Sequence, residues 1–336
     1  MTGLGINKEK VLRKIRAANY LTVAQLFLKD NFLLEKPLSF DDVKPRLLGH
    51  WGTCPGISLA YNCLKSFDEN IDFVVGPGHG FPALQANLFI DKELEKVDEK
   101  AVHTKEGIAH ICKNFSWPDG YPSHASPMTP GVICEGGELG YALATSYGYV
   151  LGSPEKTVAV LIGDGEFETA TALASMNLNK LFSGQKNGNV LPILHLNGYK
   201  ISAPTIAGRK SDRELSELIR GFGFTPLFVR ATNEDADAAL NYAVDDFENV
   251  LEKAYEIFKN IKKGKTENPP FIIMRTDKGV TGPEEVDGIK VRGNFKAHQI
   301  PLLKAKTDKA ELVKLEKWLK SYRFNELFDV EKGFIL

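Results

Sequence analysis

Short apolar runs alternate with longer amphipathic stretches along this chain. Residues 8–29 place apolar side chains such as Val11, Ile15 and Ala18 at helical spacing, which predicts a helix that packs on a core. The same periodicity predicts further helices over residues 56–67, 82–90, 138–150, 212–221, 234–261 and 309–322. Apolar, β-branched runs predict strands over residues 71–75, 157–162, 190–196, 225–230 and 271–275. This alternation favours an α/β fold, with a mostly parallel sheet and helices on both faces.

The longest predicted helix, which ends at Ile261, has an acidic start. Asn233 is its predicted N-cap, and Glu234 and Asp235 follow in the first turn, where negative charge favours the helix dipole. We therefore expect this helix to begin directly after Asn233.

No convincing linker divides the chain, so we expect a single domain over residues 1–336. Within it, residues 1–55 hold an N-terminal helix and loops, residues 56–275 the α/β core, and residues 276–336 a C-terminal loop and helix. Residues 115–137 show no clean period and are rich in proline, serine and glycine. An irregular stretch of that length is usually functional.

Composition narrows the classes of function. The chain has 336 residues, 43% of them hydrophobic, and a formal net charge of −1, so no overall field favours nucleic acid or an anionic membrane. Its four cysteines form no CxxC pair, which argues against a zinc site and is typical of a reducing cytoplasm. No apolar run approaches the roughly 18 residues of a membrane span, and basic residues interrupt any signal-peptide core near the N-terminus. We expect a cytoplasmic protein.

The ends of two predicted strands carry candidate metal ligands. The strand over residues 157–162 leads into Gly163-Asp164-Gly165, and the strand over residues 190–196 leads into Asn197. A GDG sequence alone is more often a simple turn, but ligands bind where parallel strands end. Oxygen ligands together with phosphate oxygens suit Mg²⁺, and glycine lets the backbone approach a phosphate closely. The pair therefore predicts a magnesium–diphosphate clamp.

Four of the seven histidines lie in loop-like stretches flanked by glycine or proline. They are His50, His79, His124 and His298. One such histidine is more often structural, but four together predict a shared polar pocket, and histidine suits proton transfer near neutral pH. A histidine metal site is disfavoured because no HxH or HxxxH spacing occurs. His103, His110 and His195 lie in predicted regular elements and are interpreted as structural.

Several sequence strings, taken together, resemble those of phosphoketolases. The strings are LLGHWGT at 47–53, GPGHG at 76–80, PSH at 122–124, EGGELGY at 135–141, GDGE at 163–166, LPILHLNGYKI at 191–201 and GNFKAHQ at 293–299. They occur in the family's order and span nearly the whole chain. Transketolases share the GDG…N pair but are not expected to supply the other strings.

The resemblance implies a diphosphate-domain fold and an aldehyde-lyase that depends on thiamine diphosphate and Mg²⁺. Its reaction cleaves xylulose 5-phosphate or fructose 6-phosphate with inorganic phosphate, giving acetyl phosphate and an aldose phosphate. The implied metal ligands are Asp164, Asn197 and the Tyr199 carbonyl. The residues implied to meet the cofactor diphosphate are Gly137, Gly163, Gly165, Glu166 and Lys278. The four loop histidines would line the thiazolium ring and the substrate.

Several features depart from the family pattern, and those at Phe81, Ser202-Ala203 and Val280 are interpreted as packing changes. Two others bear on function. Cys134 stands where histidine is expected, a change that we expect to perturb the pocket. The second is length, because a phosphoketolase would continue beyond Leu336 into a pyrimidine-binding domain with a cofactor-activating glutamate. Glu135 and Glu138 belong to the EGGELGY string, so neither can take that role. We therefore expect the diphosphate-binding half only, completed by a partner chain.

Other interpretations stay open at this point. The chain could be a subunit of a split phosphoketolase, a piece of a longer natural chain, a subunit of another transketolase-like enzyme, or a non-catalytic cofactor-binding or scaffolding protein. The presence of Asp164, Asn197 and all four loop histidines argues against a non-catalytic role. Because the surface that faces a missing half should be apolar, we expect a homo- or hetero-oligomer.

Overall fold

A five-stranded parallel sheet lies at the centre of the part of the chain that the structure, a computed structural model, describes: residues 5–130, 132–133, 136–233 and 235–336. Helices pack on both faces of this sheet, so the predicted α/β fold is confirmed. Cys134, Glu135 and Glu234 lie outside the described residues. The expected effect of Cys134 on the pocket therefore stays a prediction.

The strands of the sheet run in the spatial order β1-β2-β3-β5-β4. They are β1 Asp72–Val75, β2 Thr157–Gly163, β3 Asn189–Leu196, β4 Thr225–Ala231 and β5 Pro270–Thr276. Every neighbouring pair is parallel, and Gly163 at the end of β2 lies opposite His195 of β3. The residues that directly follow these strands therefore meet at one edge of the sheet.

Ten α-helices occur among the described residues. They are α1 Lys8–Phe27, α2 Cys54–Phe67, α3 Phe81–Ile90, α4 Lys105–Asn114, α5 Ala142–Val150, α6 Asp164–Phe167, α7 Ala170–Ser175, α8 Asp212–Gly221, α9 Ala236–Lys262 and α10 Lys309–Ser321. One apolar core unites α1, α2, α3, α9 and α10 with one face of the sheet, and a second unites α5 and α8 with the other. None of the described helices is long and apolar enough to cross a membrane.

Two of the predicted helix starts are wrong. The helix expected over residues 138–150 begins at Ala142, because Gly140 adopts a left-handed conformation with φ of +100° that interrupts a regular helix. The N-cap of α9 is Asp235 rather than Asn233, since the Asp235 carboxylate accepts the N–H groups of Asp237 and Ala238. Asn233 instead accepts the N–H of Asp235 in a turn before the helix.

The stretch between β5 and α10 contains little regular structure. It holds a two-stranded hairpin, β6 Glu285–Val286 with β7 Ile289–Lys290. After α10, a second small hairpin pairs β8 Phe328–Asp329 with β9 Gly333–Phe334. The stretch after β5 carries Lys278 and His298 back toward the edge where the strands end.

Candidate functional site

Strands β2 and β3, whose ends carry the predicted metal ligands, end side by side. Asp164 directly follows β2, Asn197 directly follows β3, and both side chains are buried, with 2% and 8% exposure. Parallel neighbours in register bring these ends together, as the sequence pattern required.

The Asp164 carboxylate is held by three hydrogen bonds from the surrounding loops. Its Oδ2 accepts the Gly198 N–H at 2.7 Å and the Thr205 hydroxyl at 3.0 Å, and its Oδ1 accepts the Gly165 N–H at 3.0 Å. Burial raises the pKa of Asp164 to about 6, although these bonds and the charge of Lys278 act in the opposite direction. The carboxylate thus has a fixed orientation, and burial disfavours its charged form, so a nearby cation would stabilise it.

The segment after β3 folds into a tight hairpin that presents the Tyr199 carbonyl. Asn197 Oδ1 accepts the Tyr199 N–H at 3.2 Å, and the Thr205 N–H donates to the Gly198 carbonyl at 2.9 Å. Gly198 takes a φ of +87°, a left-handed conformation that favours glycine. The turn therefore fixes an amide oxygen and a carbonyl oxygen beside Asp164.

Glu166 is buried next to the clamp but faces away from it. Its Oε1 accepts the Gly140 N–H at 3.2 Å, and its Oε2 accepts the Gly163 N–H at 3.1 Å. Burial raises its pKa to about 7, with the two backbone hydrogen bonds working against that rise. Glu166 thereby ties the turn that precedes α5 to the GDG loop.

The four loop histidines form one cluster. The ring centroid of His50 lies 5.0 Å from that of His79, 5.5 Å from that of His124 and 5.1 Å from that of His298. The rings of His79 and His298 are also 5.1 Å apart. Four segments far apart in the sequence thus deliver one imidazole each to the same place.

Burial and neighbouring positive charge keep three of the clustered histidines neutral. Burial, followed by the nearby His124 and Lys278, lowers the pKa of His50 to about 4. Burial and then the charges of Lys278 and His50 lower the pKa of His298 to about 3, and burial among these groups holds the pKa of His79 well below its usual range. The Nδ1 atoms of His50 and His298 are buried and find no hydrogen-bond partner among the described residues. Such atoms call for a polar ligand.

Backbone hydrogen bonds lock the histidine loops to one another. The Trp51 N–H donates to the Gln299 carbonyl at 3.2 Å, and the Gly279 N–H donates to the Gly52 carbonyl at 2.8 Å. The Ala125 N–H donates to the Gly78 carbonyl at 2.9 Å. A side chain at Gly78 would collide with the backbone of Gly136, so this crossing requires glycine.

Lys278 connects the histidine cluster with the clamp. Its side chain is only 2% exposed, and its ammonium group donates to the Tyr199 carbonyl at 2.6 Å. Burial lowers its pKa to about 8, against the attraction of Asp164. Its stem lies against Gly52, two residues after His50, and its charge acts on His50, His79 and His298, so the clamp and the cluster lie beside each other.

The remaining histidines have structural partners, as interpreted from the sequence. His195 is buried between the hydroxyls of Thr53 and Thr276, at 3.1 and 2.9 Å, and burial lowers its pKa to about 3. His103 bonds to the Phe89 carbonyl at 2.7 Å, and His110 pairs with Asp98 at 2.8 Å.

The donor set suits a hard cation that also carries a phosphate ligand. Asp164, Asn197 and the Tyr199 carbonyl supply three oxygens, whereas Mg²⁺ prefers six oxygens in an octahedron and usually takes some from phosphate or water. Lys278 and the unpartnered imidazole nitrogens supply cationic and polar groups beside it. The residues therefore fit a magnesium-bound diphosphate.

One residue of the site escaped the sequence analysis. Thr205 donates to Asp164, yet no motif or spacing rule marks it. Gly52, which lies against Lys278, was marked only as part of the LLGHWGT string. Gly137 is exposed in the loop between the buried Gly136 and Gly140. Thr205 can be identified only from the folded hairpin after Asn197, which brings its hydroxyl to Asp164.

A large groove lies elsewhere, along the free edge of β1. Its volume is about 910 Å³, and its lining includes Lys14, Tyr61, Asp91, Val74 and Tyr149. None of the clamp residues or clustered histidines is among the described residues that line it. We therefore place the candidate functional site at the ends of the strands, where the clamp residues and the clustered histidines lie, and not in this groove.

Curated relatives match most of this chain but extend well beyond the match. A "Probable phosphoketolase" of Bradyrhizobium diazoefficiens is 44% identical over 330 residues, which are 95% of this chain and 41% of the relative. One of Nitrosospira multiformis is 42% identical over 344 residues, with 97% of this chain and 42% of the relative covered. The chain thus spans about two-fifths of the length of these relatives.

Solved transketolases share the fold at low sequence identity. A transketolase of Pichia stipitis aligns with a TM-score of 0.59 and 17% identity over 96% of this chain and 46% of its own. The transketolase of Leishmania mexicana gives 0.58 and 17% over the same shares. A family model described as the XFP N-terminal domain matches residues 6–335. The chain therefore belongs to the XFP N-terminal domain family, and its predicted resemblance to phosphoketolases is confirmed.

Proposed function

We propose that this chain, as one diphosphate-binding domain over residues 1–336, supplies the metal and diphosphate half of a phosphoketolase-type active site. The observation that carries the proposal is the joining of the Asp164 clamp to the four-histidine cluster through Lys278. The 44% identity to a relative described as a probable phosphoketolase supports the proposed reaction class, an aldehyde-lyase. We place the protein in the cytoplasm, because four cysteines without a CxxC pair are typical of a reducing compartment.

In this proposal, Asp164, Asn197 and the Tyr199 carbonyl hold Mg²⁺, and Lys278 binds the diphosphate. Gly137, Gly163 and Gly165 let the backbone approach the phosphate oxygens, because no side chain stands in the way. Glu166 serves the cofactor indirectly, since its carboxylate holds the Gly140 and Gly163 amides rather than facing the clamp.

Thiamine diphosphate, when bound, supplies the electron sink for cleavage of the ketose phosphate carbon–carbon bond. The protein must then orient the sugar and move protons, and the histidine cluster carries out both tasks. In the free chain the rings of His50 and His298 are neutral at pH 7 because their pKa values are lowered. An anionic ligand beside them raises these pKa values, so that a ring can take up a proton and return it to a departing oxygen.

A second domain must complete such a site. We propose that a pyrimidine-binding domain, on a partner chain or a further segment, supplies the carboxylate that activates the cofactor. Exposed apolar side chains support a docking surface: Met128 is 93%, Ile201 67%, Ile206 59% and Tyr141 47% exposed. The assembly would be a homo- or hetero-oligomer that uses a ketose phosphate and inorganic phosphate.

Affinity purification of this chain from its own cells, with mass spectrometry and an acetyl phosphate assay of the complex, tests the proposal. We expect a stoichiometric pyrimidine-binding component and acetyl phosphate formation that requires ketose phosphate, inorganic phosphate and Mg²⁺. The D164A variant should retain the partner but lose the product.

The other outcomes of this experiment identify the alternatives. Ketol transfer without any requirement for phosphate would point to a transketolase-like subunit. A complex that binds the cofactor but forms no product with any ketose phosphate would point to a non-catalytic binding protein. Either result would overturn the proposed reaction.

A further inference from the structure

His195 bonds to hydroxyl groups on two segments that lie far from it in the sequence. Its Nδ1 lies 3.1 Å from the Thr53 hydroxyl, and its Nε2 lies 2.9 Å from the Thr276 hydroxyl. All three residues are buried. A neutral imidazole offers one donor and one acceptor nitrogen, and a hydroxyl takes either role, so both bonds form at once. The ring therefore bridges three segments of the chain.

The bond to Thr276 ties together the ends of two neighbouring strands. His195 is the second-last residue of β3, and Asn197 follows β3 directly. Thr276 is the last residue of β5, and Lys278 follows two residues later. Because β3 and β5 pair in parallel, the imidazole joins the base of the hairpin that follows Asn197 to the base of the segment that carries the lysine.

The bond to Thr53 fixes the loop that delivers His50. Thr53 is the N-cap of α2 and lies three residues after His50. A threonine N-cap usually accepts an N–H of the first helical turn, but the described residues of α2 make no such bond to the Thr53 side chain. Its hydroxyl faces the imidazole instead. The side chain thus serves the connection to β3 rather than the start of the helix.

The packing around the ring leaves it little freedom. A Cβ atom at Gly56, in the first turn of α2, would lie 2.1 Å from Nε2 and 2.2 Å from Cε1 of His195. The imidazole therefore lies directly against α2, in a space that only glycine leaves open. Ile193, two residues earlier on β3, contributes an apolar side chain to the same side of the sheet. Apolar side chains are thus sufficient for packing in this layer, and the two hydrogen bonds are what the imidazole adds.

We infer that His195 is a positioning residue, which sets the clamp, Lys278 and His50 relative to one another for cofactor binding and turnover. The inference rests on the proposed function. The Thr276 bond holds the lysine segment against β3, and the Thr53 bond holds the histidine loop against the same strand. Because the ring is buried, it acts through these segments and not on the substrate.

The two bonds give different expectations for binding and for turnover. Lys278 is proposed to bind the diphosphate, so T276V should weaken Mg²⁺-dependent binding of thiamine diphosphate about tenfold. His50 belongs to the cluster proposed to move protons, so T53V should lower kcat about tenfold at saturating cofactor, since a small misplacement of such a group slows turnover. Each variant should change the other quantity by less than about twofold, as expected of separate connections.

Variants of His195 itself should reproduce the same split. The side-chain amide of asparagine can occupy the position of Nδ1, and that of glutamine the position of Nε2. H195N therefore keeps a partner for Thr53 and should resemble T276V, whereas H195Q keeps a partner for Thr276 and should resemble T53V. H195L removes both bonds and should show both losses. A histidine that only packs the core would instead give variants with lower stability and unchanged Kd and kcat.

Calorimetric titration with thiamine diphosphate in Mg²⁺, together with an acetyl phosphate assay at saturating cofactor, measures both quantities on the full chain in its native complex. T276S and T53S are the matched controls, because they keep the hydroxyl and should behave within about twofold of the unmodified chain. Urea unfolding of each variant shows whether it is folded under the assay conditions. If H195L does not fold, the two pairs of threonine variants decide the test.

The results separate this inference from the proposed function. Losses that follow the expected split support the inference. Cofactor binding and turnover by the unmodified complex, with Kd and kcat unchanged in T276V and T53V, would overturn the inference and leave the proposed function standing. Equal losses in T276V and T276S, or in T53V and T53S, would also overturn it, because the hydroxyl would then not be the group that acts. A complex that binds no cofactor overturns the proposed function, and the inference falls with it.

Discussion

The Thr205 hydroxyl donates a 3.0 Å hydrogen bond to the same Asp164 oxygen that accepts the Gly198 N–H at 2.7 Å. Thr205 is fully buried, and its own N–H closes the hairpin by donating to the Gly198 carbonyl at 2.9 Å. One residue thus orients the carboxylate proposed as a metal ligand and fixes the turn that presents the proposed carbonyl ligand. Groups that orient metal ligands in this way commonly matter almost as much as the ligands.

Replacing Thr205 by valine should weaken the clamp without changing its ligands. The variant removes the hydroxyl and keeps the shape, so Asp164 loses one of the bonds that hold its orientation. We expect Mg²⁺-dependent binding of thiamine diphosphate to fall about tenfold, measured by calorimetry. T205S, which keeps the hydroxyl, should bind within about twofold of the unmodified chain. Equal affinities for T205V and T205S would remove Thr205 from the site.

Replacing His298 by asparagine should slow turnover while leaving the fold intact. The ring of His298 lies against those of His50 and His79, and its buried Nδ1 has no partner among the described residues, so a ligand is its expected partner. We expect acetyl phosphate formation by the complex to fall about 100-fold, the usual range for a proton-transfer group. H110N is the matched control, because His110 pairs with Asp98 outside the cluster. Unaltered activity in H298N would return His298 to the structural histidines.

The histidine cluster should make the free chain sensitive to acid. Burial lowers the pKa of His50 to about 4 and that of His298 to about 3, from 6.5. A lowered pKa in the folded state means that the unfolded chain binds more protons, so the stability present above pH 6.5 is lost as the pH falls toward 4. We expect the free energy of unfolding to drop between pH 7 and 4.5 by on the order of 2 kcal/mol more in the unmodified chain than in H50N/H298N, after allowance for screening. Parallel pH profiles in urea unfolding would contradict this.

Glu166 should support both stability and cofactor binding. In E166Q, one carboxylate oxygen becomes an amide N–H₂ group that faces a backbone N–H of Gly140 or Gly163. We expect the free energy of unfolding to fall by about 1–3 kcal/mol, the cost of a buried group left unpaired. Calorimetry should also show weaker binding of the magnesium–cofactor pair. E217Q, which alters an exposed ion pair with Arg213, should change stability by less than about 0.5 kcal/mol.

The positions of the proposed metal ligands in the fold could be predicted from the sequence, because strand periodicity indicates where a strand ends. The apolar run over residues 157–162 places Asp164 at the edge of the sheet, and parallel pairing with β3 brings Asn197 to the same edge. The histidines could be grouped because each lies in a glycine- or proline-flanked loop, but the distances between their rings could not be predicted. The proposed reaction and the proposed cofactor come from the resemblance to phosphoketolases.

Other features depend on contacts that no periodicity encodes. Thr205 reaches Asp164 only because the hairpin after Asn197 folds back, and Lys278 reaches the Tyr199 carbonyl only because residue 52 has no side chain. Asn233 and Asp235 are both residues that favour the N-cap position, so the sequence alone does not distinguish between them. In the structure Asp235 caps α9, and Asn233 lies in the turn before it. Such choices are made by tertiary packing.

The most direct test of the central claim is calorimetric titration of this chain with thiamine diphosphate, with and without the proteins that copurify with it. The account predicts saturable binding of one cofactor per chain in Mg²⁺, lost in EDTA, lost in D164N and not reproduced by thiamine without its diphosphate. Binding that persists unchanged in EDTA and in D164N, or the absence of binding in both preparations, would contradict the assignment of Asp164, Asn197 and Tyr199 as a magnesium–diphosphate clamp.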